Sequence, residues 1–489
     1  MKVTMLLEGT YPYIQGGVSS WMHQMIQAMQ DYEFTLVYIG GKRQSHAQYR
    51  YKLPHNVIEV QEIYLQEAES GNEELYGWKK KEQDEMVHFF QTGELPSVET
   101  IWRLRQKKYT PTAESVLRSE WAWTALLNSY RTLPNTPGFS DFFWNWRSMW
   151  LPLLRLLRVS PPEGDLLYSP STGYAGWYGA QIHRLTGRPL IITEHGIYAR
   201  EREEEIIRAN WIIGPLKAWW KDFFDHLSKV AYRDCTFLTT LSVVNQQAQL
   251  SYGADSARMR LIPNGINLEK FAQITPTLNR SFTIGAILRV VPIKDVKTLI
   301  RAMAIVVTQI PEAKLMLMGP QDEDPGYFAE CQMLIESLGI GTSCVWTGPV
   351  NIMEYMPNLD CIVLTSISEG QPLVLLEAMA AGIPCVTTDV GACRELMKGL
   401  PGEDMQLGRC GFVTKLMTPE ETGTAIVELA RNPELRAEMG CIGRERVARY
   451  YQFDDVIKKY RDLFEEAVGG AAWPVSDLHY RRHSAAARV

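Results

Sequence analysis

The chain of 489 residues has no basic excess: 50 Lys+Arg stand against 56 Asp+Glu, a formal net charge of −6. Polyanion binding draws its affinity from clustered cations that release counterions, so a general nucleic-acid binder is excluded. Long hydrophobic runs are missing too. None reaches the roughly 18 uncharged residues of a spanning helix. The apolar start, residues 3–7, is too short for a signal-peptide core and reads as a first buried strand. Cysteine is scarce and late: none of the eight precedes Cys235, and no two are spaced C-x-x-C. That pattern argues against a zinc site and a disulfide framework, and points to a reducing, cytoplasmic setting. No G-x-G-x-x-G follows any candidate strand, which argues against a nicotinamide dehydrogenase.

What is present is an ordinary globular composition, 46% apolar and 22% charged, over a length suited to two or more domains. Residues 3–8 (strand), 9–17 (turn-rich loop with Gly16-Gly17), 18–29 (helical spacing) and 34–39 (strand) open a parallel α/β sheet. From about residue 63 to 158 charge clusters such as Glu73-Glu74 alternate with aromatics, and seven of the fourteen tryptophans fall between Trp78 and Trp150. This segment reads as a helical insertion whose tryptophans pack its own core or form a docking surface. Trp219-Trp220, flanked by Lys217 and Lys221, is a second candidate for docking.

Strand patterns resume at 165–169, 189–193, 236–241 and 259–262. A Pro-Asn-Gly turn at 263–265 and the polar stretch 273–280 mark a domain boundary. A second α/β series follows, with strands expected at 282–288, 314–318, 344–346, 361–365 and 384–387. The expected fold class is therefore α/β: two doubly wound Rossmann-like domains facing a cleft, with the aromatic-rich insertion in the first. The domains would span 1–272 (acceptor side) and 273–452 (nucleotide-sugar side). A helix at 453–470 would pack back on the first domain, and a basic tail (Arg481, Arg482, His483, Arg488) occupies 471–489.

Chemistry concentrates in three places. In Ser366-Ile367-Ser368-Glu369-Gly370-Gln371-Pro372-Leu373-Val374, a strand runs into a loop with Glu369 and then a helix opening near Pro372. The amides of Gln371 to Val374 suit a phosphate, and Glu377 within the helix suits a pair of sugar hydroxyls. Alternatively, Glu369 only complements the helix dipole. Arg289 and Lys294 follow the 282–288 strand, where they neutralise a diphosphate or remain a solvated surface pair. His195, in Thr193-Glu194-His195-Gly196, ends an apolar strand, either as a ligand contact or as a packed histidine. Asp322-Glu323-Asp324 mimics an Asp-x-Asp metal site, but with Arg289 and Lys294 supplying positive charge it reads as a solvated loop.

Together, Gly16-Gly17, His195, Pro263-Asn264-Gly265-Ile266, Arg289 with Lys294, Gly348 and the pair Glu369 and Glu377 resemble the retaining glycosyltransferases of family 4, whose two-domain fold is called GT-B. Within that family the aromatic insertion, Glu8-Gly9-Thr10-Tyr11-Pro12-Tyr13, Glu194-His195-Gly196-Ile197-Tyr198 and Gly319-Pro320-Gln321-Asp322-Glu323-Asp324-Pro325 look most like the PelF-like branch of Pel exopolysaccharide synthesis. The resemblance implies a nucleotide-sugar donor, a UDP-hexose or UDP-N-acetylhexosamine, a polysaccharide acceptor, and neither cofactor nor metal. It also implies inner-membrane Pel biosynthesis proteins as partners, with the enzyme cytoplasmic or peripheral at the inner face of that membrane.

By the same resemblance Arg289 and Lys294 would hold the diphosphate and Glu377 the ribose. Glu369 with Gly370, Gln371, Pro372, Leu373 and Val374 would hold the donor sugar, and His195 would lie over it. Asn264 and Gly348 complete the donor set, and Gly16-Gly17 would let the backbone approach the phosphates or the acceptor. The family's usual Phe-Gly after the first glutamate is Gly370-Gln371 here. A sugar-nucleotide epimerase and a non-catalytic sugar-nucleotide scaffold are the alternatives on the same architecture.

Overall fold

The structure, a computed structural model, describes residues 1–43, 48–69, 74–133, 137–275, 277 and 281–470. Glu73, half of the 273–280 stretch and the basic tail lie outside the described residues. The chain divides into two compact units. The first holds Met1–Thr240, Gln246–Arg260 and the described residues from Arg461; the second holds Leu241–Asn245 and Leu261–Tyr460. The sequence boundary at 272/273 falls inside the second unit. Residues 261–272 are held there because Ile266 bridges to Gln452 and Gly265 lies against the backbone of Phe453, where a Cβ would come within 2.7 Å.

In the first unit seven strands form one sheet in the order β3-β2-β1-β4-β5-β6-β7. They are β1 (Lys2–Glu8), β2 (Glu33–Gly40), β3 (Val57–Tyr64), β4 (Leu166–Ser169), β5 (Leu190–Glu194), β6 (Phe237–Thr240) and β7 (Met259–Leu261). β1 to β6 pair in parallel. Central strands are buried on both faces and read as unbroken apolar runs, which made them legible. β3 is an edge strand carrying Glu59, Gln61 and Glu62, too polar to show as a strand, so the expected insertion from residue 63 begins later. Helices run from Lys80 to Arg158. In the helix Phe139–Arg158, Phe142, Trp146, Met149, Trp150 and Leu153 recur at helical spacing and pack on Phe89 and Phe90 of Lys80–Thr92.

The tryptophans of this insertion divide. Trp146 and Trp150 are core, whereas Trp123 and Trp144 are 45% and 58% exposed. Trp220 is buried and donates its indole N–H to Asn145 Oδ1 at 2.7 Å, so it packs inside and drops out as a docking candidate. From the helix Phe453–Gly469, Arg461 clamps Asp31 at 2.6 and 2.7 Å, and Phe464 packs on Tyr32 and Tyr168, all within the first unit.

The second unit carries a six-stranded parallel sheet in the order β10-β9-β8-β11-β12-β13. Its strands are β8 (Thr283–Ile287), β9 (Lys314–Met318), β10 (Cys344–Gly348), β11 (Cys361–Leu364), β12 (Cys385–Thr388) and β13 (Gly411–Thr414). β13, a four-residue strand opened by a glycine, left no strand signal in the sequence. Alternate residues of β11 feed two separate cores: Ile362 and Leu364 face one side of the sheet, Cys361 and Val363 the other. Among the described residues no helix is long and apolar enough to cross a membrane.

Candidate functional site

Open α/β sheets bind ligands where the strand order reverses, beyond the carboxyl ends of the two strands involved. In the second sheet that point lies between β8 and β11. Arg289 and Lys294 follow β8, and the Ser366–Gln371 loop follows β11. Backbone bonds tie the two loops: Ile367 N–H donates to Ile293 C=O at 2.8 Å, and Thr365 Oγ1 donates to the carbonyls of Lys294 and Asp295 at 3.1 and 3.0 Å. Asp295 takes a left-handed turn (φ 42°) and caps the next helix through Thr298 N–H, which fixes the direction in which Lys294 leaves the chain.

The result is a close ion pair: Lys294 Nζ lies 2.5 Å from Glu369 Oε1, with side chains 18% and 12% exposed. Glu369 and Gly370 are held from the other side by the turn after β12. Gly391 has φ 50°, a Cβ there would come within 2.1 Å of the Glu369 carbonyl, and Ala392 N–H donates to Gly370 C=O at 2.8 Å. Only glycine fits that contact. Gly391 and Thr365 were missed in the sequence because their role is backbone packing across strands.

Pro372 is the N-cap of the helix Leu373–Ala381, so the free first-turn amides belong to Leu373 and Val374, and Gln371 stands outside. The Gln371 side chain turns away to the Pro-Asn-Gly turn: its Oε1 accepts from Asn264 N–H at 2.5 Å, while Asn264 Nδ2 donates to Gln371 C=O at 3.3 Å. At Gln371 the departure from the family's Phe-Gly is thus accounted for locally, as a buried amide pair that pins the loop. Further along the helix, burial pushes the Glu377 carboxyl up to about 7; the Lys270 charge works against this, and among the described residues no hydrogen bond does. Gly348 ends β10 with φ 69° and open space around its Cβ position, and its carbonyl accepts from Gly319 N–H.

Arg289 stands apart from Lys294. Half exposed, its Nη1 bonds Glu323 Oε1 at 2.6 Å, a partner the sequence reading assigned to a solvated acidic loop. Asp324 in the same loop caps the helix Pro325–Ser337 by accepting from Tyr327 N–H at 2.9 Å. An exposed pair of this kind is worth about 0.2–1 kcal/mol. Glu323→Gln is therefore expected to free the guanidinium and tighten UDP binding by up to about fivefold; unchanged or weaker UDP binding by calorimetry would count against a phosphate role for Arg289.

In the first unit His195 follows β5. Burial depresses its imidazole to about 4, Trp21 packs edge-on with ring centroids 6.5 Å apart, and Nε2 is buried with no hydrogen-bond partner among the described residues. Next to it the fully buried Glu194 carboxylate accepts from Thr172, Tyr198 N–H, Tyr232 and Gln249 at 2.5–3.1 Å, anchoring the strand end that carries His195. Gly16 and Gly17 open the helix Gly17–Ala28, exposed, and a Cβ at either would meet nothing, so glycine here leaves room for an approaching group.

The family model described as "Domain of unknown function (DUF3492)" matches residues 1–257, and "Glycosyl transferases group 1" matches residues 269–446. N-acetyl-alpha-D-glucosaminyl L-malate synthase of Bacillus anthracis is 29% identical over 36% of this chain, a match spanning 43% of that synthase. Among solved structures, sucrose-phosphate synthase of Thermosynechococcus elongatus superposes over 96% of this chain and 99% of its own (TM-score 0.61, 16% identity). Anabaena HepE, solved in complex with UDP and glucose, superposes over 95% of this chain and 99% of its own (TM-score 0.59, 15% identity). Two parallel sheets in Rossmann-like units, in line with these neighbours, are the GT-B fold. The chain belongs to the group 1 glycosyltransferase family of GT-B fold, with a DUF3492 domain as its N-terminal half.

Proposed function

We propose that the protein moves a sugar from a UDP-linked hexose or N-acetylhexosamine to a growing exopolysaccharide of the Pel type, with retention and without a metal ion. The observation that carries this reading is the Lys294–Glu369 pair at the switch point of the second sheet, in the loop ahead of the helix that carries the half-buried Glu377. As the bond from the anomeric carbon to the phosphate oxygen breaks, negative charge grows on the departing diphosphate. Lys294, Arg289 and the Leu373 and Val374 amides stabilise that charge. Glu369 accepts from hydroxyls of the transferred sugar and Glu377 from the ribose, since ionised carboxylates only accept. His195, neutral at pH 7 because burial lowers its pKa, serves the sugar as a hydrogen-bonding group and not as a cation. The leaving phosphate takes the proton of the attacking acceptor hydroxyl.

The UDP and glucose in the HepE complex support a UDP donor by likeness of fold. The Pel assignment rests on the sequence motifs, and with it a cytoplasmic enzyme working beside inner-membrane proteins of the same synthesis. The exposed Trp123 and Trp144 are its docking candidates.

The test is a panel of sugar nucleotides incubated with the protein and an oligosaccharide acceptor, the anomeric configuration of the product read by NMR. An altered sugar nucleotide without transfer would replace this reading by the epimerase, and binding without turnover by the scaffold. Transfer is expected to survive EDTA, because side-chain cations meet the diphosphate. Loss of turnover restored by magnesium or manganese would return Asp322 and Asp324 to consideration as ligands.

A further inference from the structure

We propose that the first unit binds an organic ammonium group in a cavity lined by three of its helices. The helices are Lys80–Thr92 and Phe139–Arg158 of the insertion, and Gly214–Asp234. The cavity measures about 330 Å³, within the range of about 300–1,000 Å³ for small-molecule sites. None of its lining residues belongs to the second unit, so it stands apart from the donor site and from the transfer reading.

The cavity lies where a helix stops. Gly93 ends Lys80–Thr92 in the left-handed region (φ 75°), and a Cβ there would come within 2.4 Å of the His226 ring. Glycine alone allows that approach, which brings the helix end against Gly214–Asp234. Gln91 and Thr92, the last residues of the helix, line the cavity. Among the described residues no backbone N–H donates to either carbonyl, and the last turn carries no basic residue. The helix end therefore keeps its partial negative charge. Asp222 adds a carboxylate, and the adjacent Lys221 is engaged by Glu203 at 2.8 Å. Burial lowers the His226 imidazole and leaves it neutral at pH 7, so Asp222 is the one charged group among the lining residues. The walls are Trp150, Trp219, Phe223 and Met149. Trp219 stacks on Phe142 with centroids 5.0 Å apart, and Trp150 stands edge-on to Phe223 at 5.9 Å, so the rings are fixed before a ligand arrives.

These groups narrow the ligand class. Aromatic walls beside a carboxylate and a helix carboxyl end attract a weakly hydrated cation, because the rings take its apolar surface and its charge together. A phosphate or carboxylate would be repelled by Asp222 and by the helix end. A strongly hydrated metal ion would find a single carboxylate, and no cluster of three metal-ligating side chains occurs among the described residues. A neutral apolar body would use the rings and leave the electronegative end unmatched.

The test titrates the whole protein with choline and with its uncharged isostere 3,3-dimethylbutan-1-ol, followed by calorimetry and tryptophan fluorescence. Choline is expected to bind at least about tenfold more tightly than the isostere. Asp222→Asn, at an exposed position, is expected to weaken choline about threefold. Gln91→Lys, also at an exposed position, sets an ammonium of the protein's own at the helix end and is expected to weaken choline at least about tenfold. UDP affinity should stay unchanged in both variants. Co-sedimentation with phosphatidylcholine vesicles, lost in Gln91→Lys, would assign the ammonium to a lipid headgroup, and choline binding without co-sedimentation assigns it to a free amine. No choline binding, equal binding of the isostere, or choline binding indifferent to both substitutions would overturn the proposal.

Discussion

Lys294→Ala is expected to lower kcat/KM for sugar transfer by about a hundredfold, from the loss of a charge-assisted hydrogen bond worth about 1.5–3 kcal/mol. The charge is needed most where diphosphate charge is developing, so the loss falls on kcat as well as on donor affinity. The same substitution strips Glu369 of its 2.5 Å partner at 12% exposure, leaving a largely buried carboxylate uncompensated. Thermal unfolding should therefore register a second effect, a destabilisation on the order of 1–3 kcal/mol. Adding Glu369→Gln separates the two. The double variant should regain most of the stability, because an amide tolerates burial without a counter-charge, yet stay inactive. Near-normal turnover in Lys294→Ala would remove the diphosphate assignment, and recovery of turnover in the double variant would reduce the pair to a structural bridge.

Glu377→Gln is expected to make the protein more stable at pH 8 and a poorer binder of UDP. Burial holds the folded carboxyl near 7, against an ordinary value of 4.5 in the unfolded chain. Between those values the folded state binds more protons than the unfolded one, so this group's favourable contribution is fully present below pH 4.5 and is lost as pH rises through 7. At about 1.4 kcal/mol per unit, the loss is on the order of 3 kcal/mol by pH 8. The glutamine variant lacks this titration, so its melting curve should cross the wild type's on going from pH 5 to pH 8. UDP affinity should move oppositely: ionised Glu377 accepts from both ribose hydroxyls, so wild-type affinity should rise from pH 6 to pH 8. The variant's should stay flat and end about tenfold weaker. Glu369→Gln, by contrast, should spare UDP and impair the full sugar nucleotide. Parallel stability profiles with equal UDP affinity would show that Glu377 is a helix residue of no special function. A site residue kept at a cost in stability is the expected signature of selection for binding.

Much of the architecture and the donor-site candidates could be read from the residues in order. Strands such as β5 and β11 are buried on both faces and announce themselves as apolar runs. Lys294, Glu369 and Glu377 were legible because each stands at a fixed offset from a strand end or a helix start, and those offsets follow from local backbone geometry. The edge strand β3 was not, because an edge needs no second apolar face. Nor were the partners: Glu323 on Arg289, Gln371 on Asn264 and Gly391 against Glu369 bring together residues 22 to 107 positions apart. Nothing in the spacing of the sequence encodes those meetings. The tryptophans make a related point: two positions apart on one helix, Trp144 and Trp146 face opposite sides by helical spacing, but only packing decides which side is covered, leaving one 58% exposed and the other in the core. The sequence by itself determined the order of strands and helices and the chemistry carried at their ends, because both depend on near neighbours. The tertiary structure alone decided which side chains pair, which carboxylates are desolvated and where a cavity remains, because those depend on distances that the chain's linear order does not hold.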